Sequence, residues 1–181
     1  MRYLVKLVLI LIIPGFLFSA CNNKPKIVKS DKEMQRLQEP LVKVNRFLVD
    51  KDEAIIKKYA ERRKWEMTKT ETGLWYMIYE KGRGDSIADG DVIIIDYELS
   101  LLDGTICYNT DTLGAETIIV GHDNMETGLY EGLLLLHQGD KARLIMPPHL
   151  AHGLLGDNNK IPSRSIIIFD LNVLAVQKKH K

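Results

Sequence analysis

The chain has 181 residues, 45% hydrophobic and 27% charged, the proportions of an ordinary globular domain with extras. Lys+Arg number 25 against Asp+Glu 24, a formal charge of +1, so no global field recruits nucleic acid. The basic end, Lys178-Lys179-His180-Lys181, reads as a solvated terminus, and no repeat or low-complexity tract appears.

Residues 1–20 read as a signal peptide. Arg2 and Lys6 supply the positive start, Leu7 to Phe18 the apolar run, and Ser19-Ala20 a small-residue cleavage site. Pro14-Gly15 interrupts the run, which is short against the roughly 20 residues of a spanning helix. Cys21 follows at once, and Phe18-Ser19-Ala20-Cys21 resembles a bacterial lipobox, which implies a lipid on Cys21 as the first mature residue. A secreted chain with a free cysteine is the alternative. With Cys21 lipidated, Cys107 stands alone and the domain has no internal disulfide despite an oxidising compartment; a Cys21–Cys107 pair is the other option, disfavoured because Cys21 lies in the tether and Cys107 beside a strand. Residues 21–29 form a polar tether.

Residues 30–66 are expected to be helical. Ser30-Asp31-Lys32-Glu33 has the form of a capping box. Met34, Leu37, Leu41, Val44 and Leu48 then step by three and four, a seam fit for packing on its own domain or for a homodimer. Pro40 interrupts it and predicts a kink or two short helices. Asp52 is expected to cap a second helix from Glu53 to about Lys64, with Ile56, Tyr59 and Ala60 on one side. Arg62-Arg63-Lys64 in its last turn suits the helix dipole.

From Thr72 the period becomes two. Leu74, Tyr76 and Ile78 alternate with Trp75, Met77 and Tyr79, and Gly82-Arg83-Gly84-Asp85 turns the chain. Gly90-Asp91 opens a strand whose inner face is Ile93, Ile95, Tyr97 and Leu99, with Asp96 and Glu98 pointing away. Asp103-Gly104 signals a hairpin, and Thr117 to Gly121 a short strand.

A helix follows, with Leu129, Leu133 and Leu136 on one face. Gly128 and Gly132 leave one edge bare for close backbone approach, and Gly139 is placed as the left-handed residue ending it. In the next strand Ala142, Leu144 and Met146 share a face until Pro147-Pro148, which cannot donate to a ladder. Ile167, Phe169, Leu171 and Val173 line the last strand. This order predicts an α+β fold, a curved antiparallel sheet around one short helix, preceded by the N-terminal helical segment. Met125 to Pro162 would be one wall and the roof of an apolar, peptide-binding cleft.

An ordered set of landmarks carries a family resemblance over roughly Thr70 to Val176. It comprises Thr72-Gly73-Leu74-x-Tyr76, Gly90-Asp91-Val92 through Tyr97, Leu102-Asp103-Gly104, Val120-Gly121 and Gly128-x-x-Glu131-Gly132. It continues through Gly139-Asp140-Lys141-Ala142, Pro147-Pro148, Ala151-x-Gly153, Ile161-Pro162 and Phe169-Asp170-Leu171. Together these resemble the FK506-binding-protein type peptidyl-prolyl cis/trans isomerases. With the exported helical front and Cys21, the chain looks like the gliding-motility-associated isomerase lipoproteins of bacteria. The resemblance implies a five- or six-stranded sheet around a helix over residues 67–181, acting on proline-containing polypeptides without cofactor or metal.

Carried over residue by residue, it makes Tyr97, Glu126 (through its backbone N–H) and Phe169 the catalytic set. Tyr108, Met125, Leu129, His152 and Ile161 become substrate-binding. Localisation would be the cell envelope, lipid-anchored and facing the periplasm. Four positions depart from the family pattern. Cys107-Tyr108 replaces Phe-Asp, Leu129 the Trp of the cleft floor, His152 a Tyr, and Glu116 an aromatic, so a shallower pocket is expected.

Other readings weigh less. His149 and His152 lie three apart but no third ligand is near them in sequence. Ser163, Ser165 and Asp157 lack the Gly-x-Ser-x-Gly elbow of a hydrolase. The competing functions are a non-catalytic peptide-binding chaperone and a scaffold contacted through the Met34–Leu48 seam.

Overall fold

A computed structural model describes residues 31–179. The expected signal peptide, Cys21 and the expected tether fall outside the described residues, and among the described residues no helix is long and apolar enough to cross a membrane. Two compact units divide the chain, Met1–Val42 and Lys43–Lys181. Helix α1, Asp31–Arg63, takes in the described part of the first and the start of the second.

The helix assignment runs through Pro40 instead of breaking into two. Asp52 is likewise not a cap. It sits inside α1, where its Oδ2 accepts from Nη2 of Arg164 at 2.8 Å. Ile56, Tyr59 and Ala60 are buried as the spacing predicts, while Leu41 of the seam is 70% exposed. Arg63, in the last turn, stacks over the Tyr59 ring at 3.6 Å from its centroid.

The second unit continues as β1 (Thr68–Lys69), β2 (Trp75–Glu80), β3 (Val92–Leu101), β4 (Ile106–Asn109), α2 (Thr110–Leu113), β5 (Glu116–Ile119), α3 (Thr127–Leu133), β6 (Lys141–Met146) and β7 (Ile167–Gln177). All pairings are antiparallel, in the order β1-β2-β6-β7-β3-β4, with β5 also on β3. The α+β expectation holds, with one or two more strands than predicted.

Helix α3 packs on the inner face of this sheet because two glycines let it. A Cβ on Gly128 would lie 2.8 Å from Sδ of Met146, and one on Gly132 would strike Leu144. Leu129 and Leu133 of α3 therefore reach Leu144, Ile95, Phe169 and Leu171 in one continuous core. The helix ends at Leu133, so Leu136 lies beyond it, and Gly139 (φ 89°) serves the later turn into β6, not the helix end. β6 stops at Met146, directly before Pro147, as its missing donor requires.

The outer face has a core of its own. Ile56 and Tyr59 of α1 cover Ile145, Ile166 and Ile168, with Trp65, Met67, Trp75 and Leu102 around them. Consecutive residues Leu144 and Ile145 are both fully buried, one in each core. Strand period two explains this, since neighbours point to opposite faces and here both faces are covered.

Candidate active-site cleft

Strand register builds the cleft floor. Tyr108, Leu99, Phe169 and Leu144 stand side by side across β4, β3, β7 and β6. Tyr97 is two residues from Leu99 on β3, and so shares its face. Its ring lies 5.3 Å from that of Phe169 at 46°, a tilted aromatic pair. Thr110 fixes the backbone there, its Oγ1 accepting from the Tyr97 N–H at 3.0 Å. Ile95 pairs with Glu116, and Ile93 with Ile118, which turns Glu116 and Ile118 to the same inner side.

The resulting hollow holds about 490 Å³, within the range of small-ligand sites. Tyr97, Leu99, Tyr108, Ile118, Met125, Leu129 and Phe169 line it together with Glu116, Asp123, Glu126, His152, Asp157 and Asn159. Seven of the eight sequence-predicted cleft residues thus come together around one space. Ile161 does not: it is 3% exposed and belongs to the core behind the wall. Glu126 is the N-cap of α3 (φ −63°, ψ 140°), so its N–H precedes the first turn and has no intrahelical acceptor. Tyr108 and Glu116 line the space and do not plug it.

A polar cross-tie joins the β4 hairpin to the roof. The Tyr108 hydroxyl donates to Oδ2 of Asp157 at 2.5 Å, and Asn159 Nδ2 donates to the same hydroxyl at 3.1 Å. Oδ1 of Asp157 accepts from the N–H groups of Ile161 (2.7 Å) and Asn159 (2.8 Å). Burial pushes the Asp157 carboxyl up, but the Tyr108 hydroxyl and these backbone donors outweigh it and hold it well below the usual carboxylate range. The hydrogen bond to Asp157 in turn raises the Tyr108 phenol. This tie was not legible in the sequence, because residues 108 and 157 are far apart and share no motif.

Across the hollow, Nε2 of His152 lies 2.8 Å from Oε1 of Glu126. That nitrogen is buried, and its approach to the carboxylate lacks hydrogen-bond alignment among the described residues. The Tyr97 phenol is pushed up to about 12, first by burial and then by the Glu116 and Glu126 carboxylates. It stays protonated and can donate a hydrogen bond throughout the neutral range. Among the described residues no group of three metal-ligating side chains converges.

The roof, residues 151–162, carries Leu154 (68% exposed) and Leu155 (79%) on its outside. Its mouth is partly positive, since Nζ of Lys160 sits 5.0 Å from the Tyr108 ring centroid. Among the described residues of the hollow there is no Ser, Cys or Lys beside a base to act as an activated nucleophile. What the arrangement offers is a half-apolar hollow with a phenol, a free helix-start N–H and several carboxylates.

The chain is similar to known proteins in sequence and in fold. A family model described as FKBP-type peptidyl-prolyl cis-trans isomerase matches residues 84–174. The FKBP-type peptidyl-prolyl cis-trans isomerase FkpA of Escherichia coli (strain K12) is 36% identical over 110 residues, 61% of this chain and 40% of the relative. FkpA of Buchnera aphidicola subsp. Baizongia pistaciae is 29% identical over 167 residues, 85% of this chain and 64% of the relative. The chain therefore spans less than half the length of the first of these relatives. Among solved structures, the crystal structure of FkpA from Escherichia coli superposes with a TM-score of 0.61 at 32% identity, covering 83% of this chain and 74% of that one. AtFKBP13 gives 0.59 at 24% identity over 61% of this chain and 98% of that one, a likeness of fold.

Proposed function

Because the chain belongs to the FKBP-type peptidyl-prolyl cis-trans isomerase family, we propose that its cleft accelerates the cis/trans rotation of Xaa-Pro peptide bonds in unfolded polypeptides. The barrier to that rotation, roughly 18–20 kcal/mol, arises from amide resonance. Twisting the bond removes the resonance, making the nitrogen more basic and the carbonyl less polar. Water stabilises the planar amide more than the twisted one. A cleft walled by Phe169, Leu99, Met125 and Leu129 withdraws that water and so favours the twisted state, which is differential binding of the transition state. Each tenfold in rate requires only about 1.4 kcal/mol of such preference.

In this reading Tyr97 and Phe169 form the floor under the prolyl ring, and the Glu126 N–H holds the substrate carbonyl. Tyr108, Met125, Leu129 and His152 complete the walls, and Ile161 supports them from the core. The observation that carries it is the aromatic Tyr97–Phe169 floor opening into an unplugged hollow. Exchange NMR on Xaa-Pro peptides with the full chain tests it. Accelerated cis/trans exchange, lost in Phe169→Ala, is the expected result. A rate equal to the uncatalysed one for every residue before proline would end the reading.

The finer assignment is an envelope isomerase, tethered through a lipid on Cys21, facing the periplasm, assisting exported proteins and related to gliding-motility lipoproteins. The Met34–Leu48 seam would join two copies, consistent with the exposure of Leu41. Labelled-lipid incorporation that survives Cys21→Ser would remove the tether, and a monomer by sedimentation would remove the pair. One observation favours the non-catalytic chaperone alternative, with a scaffold role beside it. The half-buried Glu126–His152 contact brings polar groups into a hollow that catalysis wants dry. Suppression of aggregation without any exchange acceleration would select the chaperone.

A further inference from the structure

The cleft is unlike a plain greasy pocket in its charge. Glu116, Asp123, Glu126 and Asp157 all line it. Two of these are already engaged by their own loops: Asp157 by Tyr108 and two backbone N–H groups, and Asp123 by the N–H of Ile119 at 2.7 Å. Glu126 faces His152. Glu116 is exposed on the inner side of β5, where its carboxylate acts as a hydrogen-bond acceptor toward the Tyr97 hydroxyl and keeps further lone pairs free toward the hollow. Its influence there is direct, since it is the foremost charge acting on the Tyr97 phenol. The opposing cation at the mouth, Lys160, stacks on Tyr108 and leaves the Glu116 side of the hollow to the acids.

Resting on the isomerase reading above, we propose that Glu116, with Glu126 behind it, is a specificity-determining residue that selects prolines preceded by a lysine or arginine. Glu116 thus sets a carboxylate at the edge of the hollow, next to Tyr97. A substrate ammonium or guanidinium reaching that edge meets an exposed carboxylate, an attraction of surface strength that salt screens. An acidic residue at the same place is repelled. A long basic side chain also lays its methylene stem along Ile118 and Met125 while its charged tip stays at the wet rim. The substrate class is therefore basic-Pro segments of unfolded chains.

The test uses the full chain and three peptides differing only before proline: lysine, its neutral analogue norleucine, and glutamate. Exchange NMR gives kcat/KM, and fluorescence anisotropy of the labelled peptides gives binding in parallel. The expected order is Lys > norleucine > Glu, spanning about tenfold at low salt and shrinking as salt screens the charges. Glu116→Gln brings the three together, and Glu116→Lys inverts the order while circular dichroism confirms the fold. Equal values for the three peptides with the wild-type chain would overturn the specificity and leave the isomerase reading standing. Charge-ordered binding without any catalysis would do the reverse. Neither binding nor catalysis would remove both.

Discussion

On its outer face the sheet is closed by α1, whose Ile56 and Tyr59 seal Ile145, Ile166 and Ile168 under a rim of tryptophans. On its inner face α3 covers only part of the strands, and beside it the side chains at 116, 129 and 152 leave a hollow of about 490 Å³. The same strands thus carry one finished core and one deliberately incomplete one. In the proposed reading catalysis falls on the incomplete side, where a phenol, carboxylates and apolar walls meet the larger space. The finished side should matter for stability and not for rate.

The largest effect should come from the outer face. Ile56→Ala is expected to cost roughly 2–5 kcal/mol of folding stability by urea denaturation. Its kcat/KM per folded molecule should stay unchanged; a change would mean that the two faces are coupled. Gly132→Ala should cost about 1–3 kcal/mol, since the new methyl meets Leu144 and pushes α3 off the sheet. Unlike the first, it should also lower kcat/KM, because Leu129 moves with the helix.

Tyr108→Phe deletes the hydroxyl of the cross-tie and should destabilise by about 1 kcal/mol. It should raise KM more than it lowers kcat, as the roof loses its fixed position. The same tie sets a pH dependence. The Asp157 carboxyl is depressed in the folded chain, so its stabilising contribution is complete above the unfolded value of about 4 and is lost as pH falls below that. Asp91 adds to this in the same direction. Burial raises its carboxyl, but Lys178 Nζ at 2.6 Å and the N–H groups of Lys179 and Ala88 bring it lower overall. Acid titration of melting temperature should fall below about pH 4, with a shallower fall in Asp157→Asn. The smallest effect is Arg164→Ala, which removes the partly exposed pair with Asp52 and should cost at most about 1 kcal/mol.

Much of the inner face was legible before any coordinates. The alternation Ile93-Ile95-Tyr97-Leu99 and the Gly128/Gly132 edge state directly which side is core and how close α3 comes, because both are local periodicities. Helix ends were read less well. Pro40 and Asp52 look like breakers and caps, yet the amphipathic run around them is long enough for α1 to absorb both. The burial of Ile145 and Ile168 was invisible, since it depends on α1 folding back over a face that period-two patterning alone leaves open to water. The site was legible where the family landmarks pass through it. It was illegible where two distant side chains meet by chance of topology, as Tyr108 and Asp157 do, or His152 and Glu126. Ile161 is a landmark residue whose side chain lies in the core with Leu129 and Phe169 and not at the surface of the hollow.

The adjacency of Leu144 and Ile145, and of Ile168 and Phe169, binds the history of the two cores together. Any backbone shift that accommodates a bulkier residue beneath the cleft is delivered, one position along, to the seam under α1. Lineages that retune what the cleft accepts are therefore constrained to change the helix that leans on its back, and the marks of such retuning should be found on both.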